Sequence, residues 1–275
     1  MSYIAVLSNI INSHQFPSIP IHPINSHSFP KPDRIMEVNL IRLEEVDSTN
    51  NYLRNYVPAE GEEATLCMAD YQKAGRGCGS NSWESERGKN LLFSLLIHPQ
   101  EIAARDQFHI SMSIALAVSD ALTSFGMDDI SVKWPNDVYW HDKKICGILI
   151  ENRLAGSFIR DSIIGIGLNV NQQQFLSDAP NPVSMRQILG HDVDREQVLR
   201  RIVDAFKYSP CMIDFTAMRY NAMLYRKGRG LFTFIDAEGE FRAEVVGVDH
   251  DGHLNLKRED GRLMQYAFKE VQFVI

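Results

Sequence analysis

An α+β fold is predicted from this sequence: a mixed β-sheet of about six or seven strands backed by helices, followed by a small C-terminal β-barrel. Three features predict it. Short apolar runs recur between turn signals, at Thr65–Tyr71, Asn90–His98 and Phe158–Asn171. Residues 107–125 carry a helical period instead, with Phe108, Ile110, Ile114, Leu116, Val118, Ala121, Leu122 and Phe125 on the apolar positions. Residues 231–275 break into strand-length pieces at Glu238-Gly239, Asp251-Gly252 and Asp260-Gly261, dipeptides that favour tight turns.

The chain has 275 residues, enough for one large domain or one with a small companion. Its net charge of −7 argues against general nucleic-acid binding, which wants a basic face. No apolar stretch is long enough for a membrane span. Cys67, Cys78, Cys146 and Cys211 are scattered, with no C-x-x-C pair. That pattern fits a reducing cytoplasm better than a disulfide framework, and no metal site is assigned.

Residues 1–36 are expected to be a disordered leader. They hold Pro17, Pro20, Pro23, Pro30 and Pro32, show no period after Ile11, and lack the early positive charge of a secretory signal. Met36 opens a clean strand pattern and is expected to be the native start. A catalytic domain is expected over 37–226. A composition shift at Arg226-Lys227-Gly228-Arg229-Gly230 then opens the barrel domain, 227–275.

Val38–Val46 reads as a strand. Asp47-Ser48-Thr49-Asn50 follows and leads into a short helix, Asn51–Tyr56. Ser48 and its neighbours suit an ordinary helix cap, and they equally suit a polar ring or carboxylate placed at the helix start. After the second strand comes Gly75-Arg76-Gly77-Cys78-Gly79, a loop whose backbone can approach a ligand closely. It is neither a Walker loop nor G-x-G-x-x-G. It is a turn on the plainest reading, and Arg76 favours an anion site.

Ser131 to Glu151 is expected to form two strands with their own chemistry. Pro135 has no N–H for a ladder, so the first strand must end or bulge there. Lys144 stands at the mouth of the apolar run Ile145–Ile150, where an ammonium can sit beside a bound anion. The simpler alternative is a hairpin with a solvated Asp142-Lys143-Lys144 turn. Gly165 and Gly167, two apart in a strand, leave one face bare for a flat ligand or for close packing. Asp194 is expected to cap a helix to about Phe206, with Gln197 at capping-box spacing. Asp214 to about Tyr225 is expected to form a further helix.

No Ser-His-Asp arrangement and no metal-ligand spacing is present. Cations around a glycine loop suit the activation of a carboxylate on a nucleotide's α-phosphate, where negative charge develops.

Several separated blocks, in order, resemble the biotin protein ligases over about residues 38–275. They are Asp47-Ser48-Thr49-Asn50, Gln72-x-x-Gly75-Arg76-Gly77, Trp83, Lys133-Trp134-Pro135-Asn136-Asp137, Lys144-x-x-Gly147-Ile148-Leu149-x-Glu151 and Gly165-x-Gly167-x-Asn169. The Lys-Trp-Pro-Asn-Asp block is the most specific. The resemblance implies the biotin/lipoate ligase catalytic fold and an ATP-dependent, AMP-forming reaction. Biotin and MgATP give biotinyl-5′-AMP and pyrophosphate, and biotin then passes to a lysine of a biotin carboxyl-carrier protein.

By position, the resemblance implies that Ser48, Thr49, Asn50 and Gln72 bind biotin. Gly75, Arg76, Gly77 and Cys78 would close over it, and Gly165 and Gly167 would floor the slot. Lys144 would meet the biotin carboxylate and the α-phosphate. Trp83, Lys133, Asn136 and Asn169 would hold ATP or the adenylate, and Asp137 would orient or deprotonate the incoming lysine. Lys144, Asp137 and Arg76 are the implied catalytic residues. Many members of that family carry an N-terminal helix-turn-helix domain. Residues 1–36 are too short and irregular for one and the chain is acidic, so a monofunctional, cytoplasmic enzyme is expected, monomeric or weakly dimeric, with no DNA and no membrane.

The family commonly reads Gly-Arg-Gly-x-x-Gly, often with a basic residue before the last glycine. Here Cys78, Gly79 and Ser80 displace that glycine by one, and a leakier adenylate is expected. The rival readings are a lipoate or octanoate ligase of the same fold, and a biotin-binding protein without catalysis.

Overall fold

The structure, a computed structural model, describes residues 37–79, 81–99, 101–176, 181–206, 208 and 212–275. The expected leader, 1–36, lies outside the described residues.

The main sheet has seven strands: β1 (Val38–Leu43), β2 (Ala64–Ala69), β3 (Leu91–Ile97), β4 (Ile130–Lys133), β5 (Asp137–Trp140), β6 (Lys143–Ala155) and β7 (Phe158–Leu168). Their order is β1-β2-β3-β7-β6-β5-β4. β1 and β2 are parallel and the remaining ladders antiparallel, so the sheet is mixed as expected.

Strand alternation divides the core into two faces. On one face Phe93, Leu95, Ile164 and Ile166 pack against α2 (Phe108–Ser124), which is buried along most of its length. Gly126, at φ +82°, follows the end of that helix. α2 is backed by α4 (Arg195–Ala205) and α5 (Ile213–Ala222). On the opposite face the short α1 (Thr49–Arg54) seats Leu53 against Cys67, Leu96 and Ile163. Burying one leucine stabilises by about 1.5–3 kcal/mol, enough to hold a helix too short to persist alone.

The stretch expected as two strands is three. β4 and β5 pair through Lys133 and Asp137, and Trp134-Pro135-Asn136 forms the connection. β4 therefore ends before Pro135, for want of an N–H. The bulge lies further on, between Val138 and Tyr139 against β6. The solvated turn is His141-Asp142, and Lys144 sits within β6. α4 begins at Asp194, but its side chain accepts from Glu196 N at 2.9 Å, not from Gln197. The capping box belongs instead to the short α3 (Met185–Leu189), between Ser184 and Gln187.

The second sheet contains β8 (Phe232–Asp236), β9 (Gly239–Val248), β10 (Leu254–Arg258), β11 (Leu263–Tyr266) and β12 (Gln272–Phe273), in the order β11-β10-β9-β8-β12. The expected strands are present as one five-stranded antiparallel sheet, in keeping with the small C-terminal β domain expected there. β12 is two residues long and pairs with β8 alone. Asn221 on α5 docks this sheet through Val248, donating to its carbonyl at 2.9 Å and accepting from its N–H at 2.8 Å. The Trp134 indole donates to Gly252 O at 2.8 Å.

Candidate active site

The apolar pattern leaves one strip of the main sheet without side chains. Gly147 on β6 pairs with Gly167 on β7, and Gly165 pairs with Leu149. Above this strip opens a cleft of about 450 Å³. Its walls carry the turn Ser48–Asn50, the loop Arg76–Cys78 with Trp83, the Lys133–Asp137 connection, Lys144 and the segment Phe268–Phe273. Sequence-distant blocks meet because β7 lies centrally, bringing β3 and β6 to its two sides.

The polar turn is held by a chain of buried hydrogen bonds. Gln72 Oε1 accepts from Thr49 N at 2.7 Å and lies 3.1 Å from Thr49 Oγ1. Ser94 Oγ lies 2.6 Å from both Thr49 Oγ1 and Asn50 Oδ1. Asn50 Nδ2 donates to Glu151 Oε2 at 3.0 Å. A Cβ at Gly165 would lie 2.2 Å from Asn50 Oδ1, so that glycine makes room for the asparagine.

Glu151 also receives Arg76 at 3.2 Å and the Arg54 guanidinium. Burial would push its carboxyl up. The Asn50 hydrogen bond and the two arginines outweigh this and hold it below the usual carboxylate range. Ser94 and Glu151 carry no assigned role in the sequence reading. A lone hydroxyl within the apolar run Leu91–Ile97 was the available signal for Ser94.

The cationic wall is compact. Lys144 Nζ lies 2.7 Å from Asp137 Oδ1. Lys133 packs its ammonium over Phe273 and Tyr139, 4.9 and 5.5 Å from the ring centroids. Its pKa is lowered by burial, against the opposing pull of Asp137. With Arg76 and Lys269, these lysines face a wall whose one carboxylate is Asp137. Such a site favours an anion.

The glycine loop folds back on itself. Trp83 N donates to Gly75 O at 2.9 Å and Gly77 N to Asn81 O at 2.7 Å. A Cβ at Gly75 would stand 2.6 Å from Trp83 O, so Gly75 closes this fold and is not among the cleft-lining residues. Trp83 is thereby laid on the glycine strip. A Cβ at Gly167 would lie 2.4 Å from its indole, and one at Gly147 would lie 2.8 Å away. The bare face read from the glycines is thus covered by the chain's own aromatic ring. The indole N–H is buried without a hydrogen-bond partner among the described residues.

Asn169 does not line the cleft either. It is 3% exposed and donates to Val183 O at 3.1 Å, bracing the segment before α3. Asn136 lines the cleft while tied to Ile148, donating to its carbonyl at 2.6 Å. Ser48, Thr49, Asn50, Gln72, Gly77, Cys78, Lys133, Gly165 and Gly167 all line it. Among the described residues no group of three His, Cys, Asp or Glu could cage a metal ion. Nor, among them, is any helix long and apolar enough to cross a membrane.

Residues 43–169 match the model of the biotin/lipoate A/B protein ligase family. The bifunctional ligase/repressor BirA of Bacillus spizizenii is 31% identical over 236 residues, spanning 82% of this chain and 72% of that protein. The biotin–[acetyl-CoA-carboxylase] ligase of Paracoccus denitrificans is 31% identical over 237 residues, 80% of this chain and 95% of the relative. The biotin protein ligase of Aquifex aeolicus in complex with biotin and ATP superposes with a TM-score of 0.69 at 29% identity, covering 86% of this chain and 99% of that one.

Proposed function

Because the chain belongs to the biotin/lipoate A/B protein ligase family, we propose that it is a biotin–[acetyl-CoA-carboxylase] ligase. The observation that carries this reading is the Lys144–Asp137 pair, facing the cleft together with the polar turn Ser48–Asn50.

A bicyclic urea with an apolar tail needs a slot with a few placed hydrogen bonds. Ser48, Thr49 and Asn50 supply donors and acceptors within one turn. In the first step a biotin carboxylate oxygen attacks the α-phosphorus of ATP, and the bond to pyrophosphate breaks. Lys144 neutralises the charge that develops on the phosphoryl oxygens. Asp137 holds the Lys144 ammonium in place. Magnesium enters as part of the substrate MgATP.

In the second step the ε-amine of a carrier lysine attacks the biotinyl carbonyl, an amide bond forms and AMP leaves. The incoming lysine is protonated in water, with a pKa near 10.4, and Asp137 attracts it and takes its proton. The partner is the biotin carboxyl-carrier protein of a biotin-dependent carboxylase. The enzyme works in the cytoplasm, as a monomer or weak dimer, without DNA.

Labelled biotin is offered with MgATP to a recombinant carboxyl-carrier domain, beside Lys144→Ala. ATP-dependent labelling lost in the variant supports the reading. Incorporation of lipoate and not biotin would transfer the protein to the lipoate ligases, and biotin binding without turnover would make it a binding protein.

A further inference from the structure

The glycine loop carries a single cation, Arg76, and Glu151 holds it at the back of the site. Lys144 is paired with Asp137, and Lys133 is wedged between two rings. A nucleoside triphosphate keeps net negative charge beyond its α-phosphate even with magnesium bound, and a further cation from the protein is favoured there.

Such a cation enters from the second sheet. Lys269 lies in the turn between β11 and β12, closed by Glu270 N donating to Ala267 O at 3.1 Å and by Glu270 Oε2 accepting from Ala267 N at 2.7 Å. Its backbone stands at φ +72°, in the left-handed region where a lysine is uncommon. This conformation sets the side chain on the cleft wall opposite the loop. A Cβ at Gly79 would lie 3.1 Å from Lys269 Nζ. The ammonium therefore borders the space that a side chain at position 79 would start from, next to the point where the loop lacks a basic residue. Among the described residues it meets no carboxylate at ion-pair distance. It lies over the ring of Phe268, 5.6 Å from the centroid.

We propose that Lys269 is a nucleotide-binding residue, supplying from the C-terminal sheet the cation that receives the β- and γ-phosphates of ATP across the mouth of the cleft. Gly79 is the complement of this arrangement, because its missing side chain lets the ammonium reach the loop. The inference rests on the ligase reading for the identity of the reaction and on this geometry for the residue.

The test is biotin-dependent exchange of labelled pyrophosphate into ATP by the full chain, comparing wild type, Lys269→Ala and Lys269→Arg. Calorimetric titration with ATP and with AMP runs alongside. The expected result for Lys269→Ala is a KM for ATP raised about tenfold, with the KM for biotin unchanged. The preference for ATP over AMP should fall by the same factor, and Lys269→Arg should restore both. An unchanged KM for ATP in Lys269→Ala would overturn the assignment. So would an equal rise in both KM values, which would indicate a disturbed wall. Should wild type fail to exchange, the ligase reading falls and the ATP-against-AMP titration still decides the role of Lys269.

Discussion

Lys144 and Asp137 form an ion pair of 2.7 Å across neighbouring strands, β6 and β5, at the edge of the glycine strip. On the proposed mechanism one group serves where phosphorus is attacked and the other where an amine is deprotonated. The pair therefore joins the two half-reactions at one point. Asp137→Asn separates them. Adenylate formation should persist within about tenfold, while transfer from preformed adenylate to the carrier should fall about 10²–10⁴-fold, the range for a lost general base. Rapid-quench measurement of each step checks this, and an equal loss in both steps would remove Asp137 from the base role.

Gly165 is predicted to be required for the position of one side chain more than for the fold. Its added Cβ would stand 2.2 Å from the amide oxygen of Asn50, the movable end of that residue. Gly165→Ala should raise the Kd for biotin about tenfold or more, equivalent to about 1.4 kcal/mol, with a small change in Tm. Isothermal titration with biotin and a melting curve measure the two effects.

Trp83 must leave the Gly147–Gly167 strip before a flat ligand can lie there. Tryptophan emission should therefore change when biotin and ATP bind, and the change should disappear in Trp83→Phe. Persistence of the signal in that variant would place its origin at Trp134 or Trp140.

Glu151 makes stability depend on acid. Its folded pKa is lowered, so the unfolded state binds protons first as pH falls. The stabilising contribution is fully present above the unfolded value of about 4.3 and is lost as pH drops through the lowered folded value. Glu151→Gln lacks this component. The urea midpoint of the variant should fall less steeply than that of wild type below about pH 4.3.

Of the cysteines Cys67, Cys78 and Cys146, Cys78 is the one on the cleft wall. Burial pushes the Cys67 thiol up to about 12 and the Cys146 thiol upward as well. Iodoacetamide near neutral pH should modify Cys78 first among these three, and biotin with ATP should slow that reaction. Peptide mapping by mass spectrometry follows each site.

The central strand Leu91–Ile97 and the helix Phe108–Ser124 were legible because one buries a continuous apolar run and the other a helical apolar period. The Asn221 amide docking the second sheet and the capping box at Ser184 were missed. Polar side chains acquire such partners only in three dimensions, and local spacing favoured Asp194 and Gln197 instead. The stretch 131–151 was read as one strand too few because β4 and β5 are each four residues long, below the length at which alternation declares itself.

The sequence alone determined which residue types could do the chemistry: one arginine in a glycine loop, a lysine and an aspartate beside apolar strands, and glycines where side chains would obstruct. Those choices follow from local steric and chemical requirements, so they are written along the chain. Tertiary structure decided which of them meet. It put Gly75 and Asn169 to structural use, covered the glycine strip with Trp83, joined Asn50 to Arg76 through Glu151, and brought Lys269 to Gly79. Those relations depend on strand order and on the docking of the second sheet, which bring together residues as far apart in the chain as Gly79 and Lys269, and no local period encodes such distances.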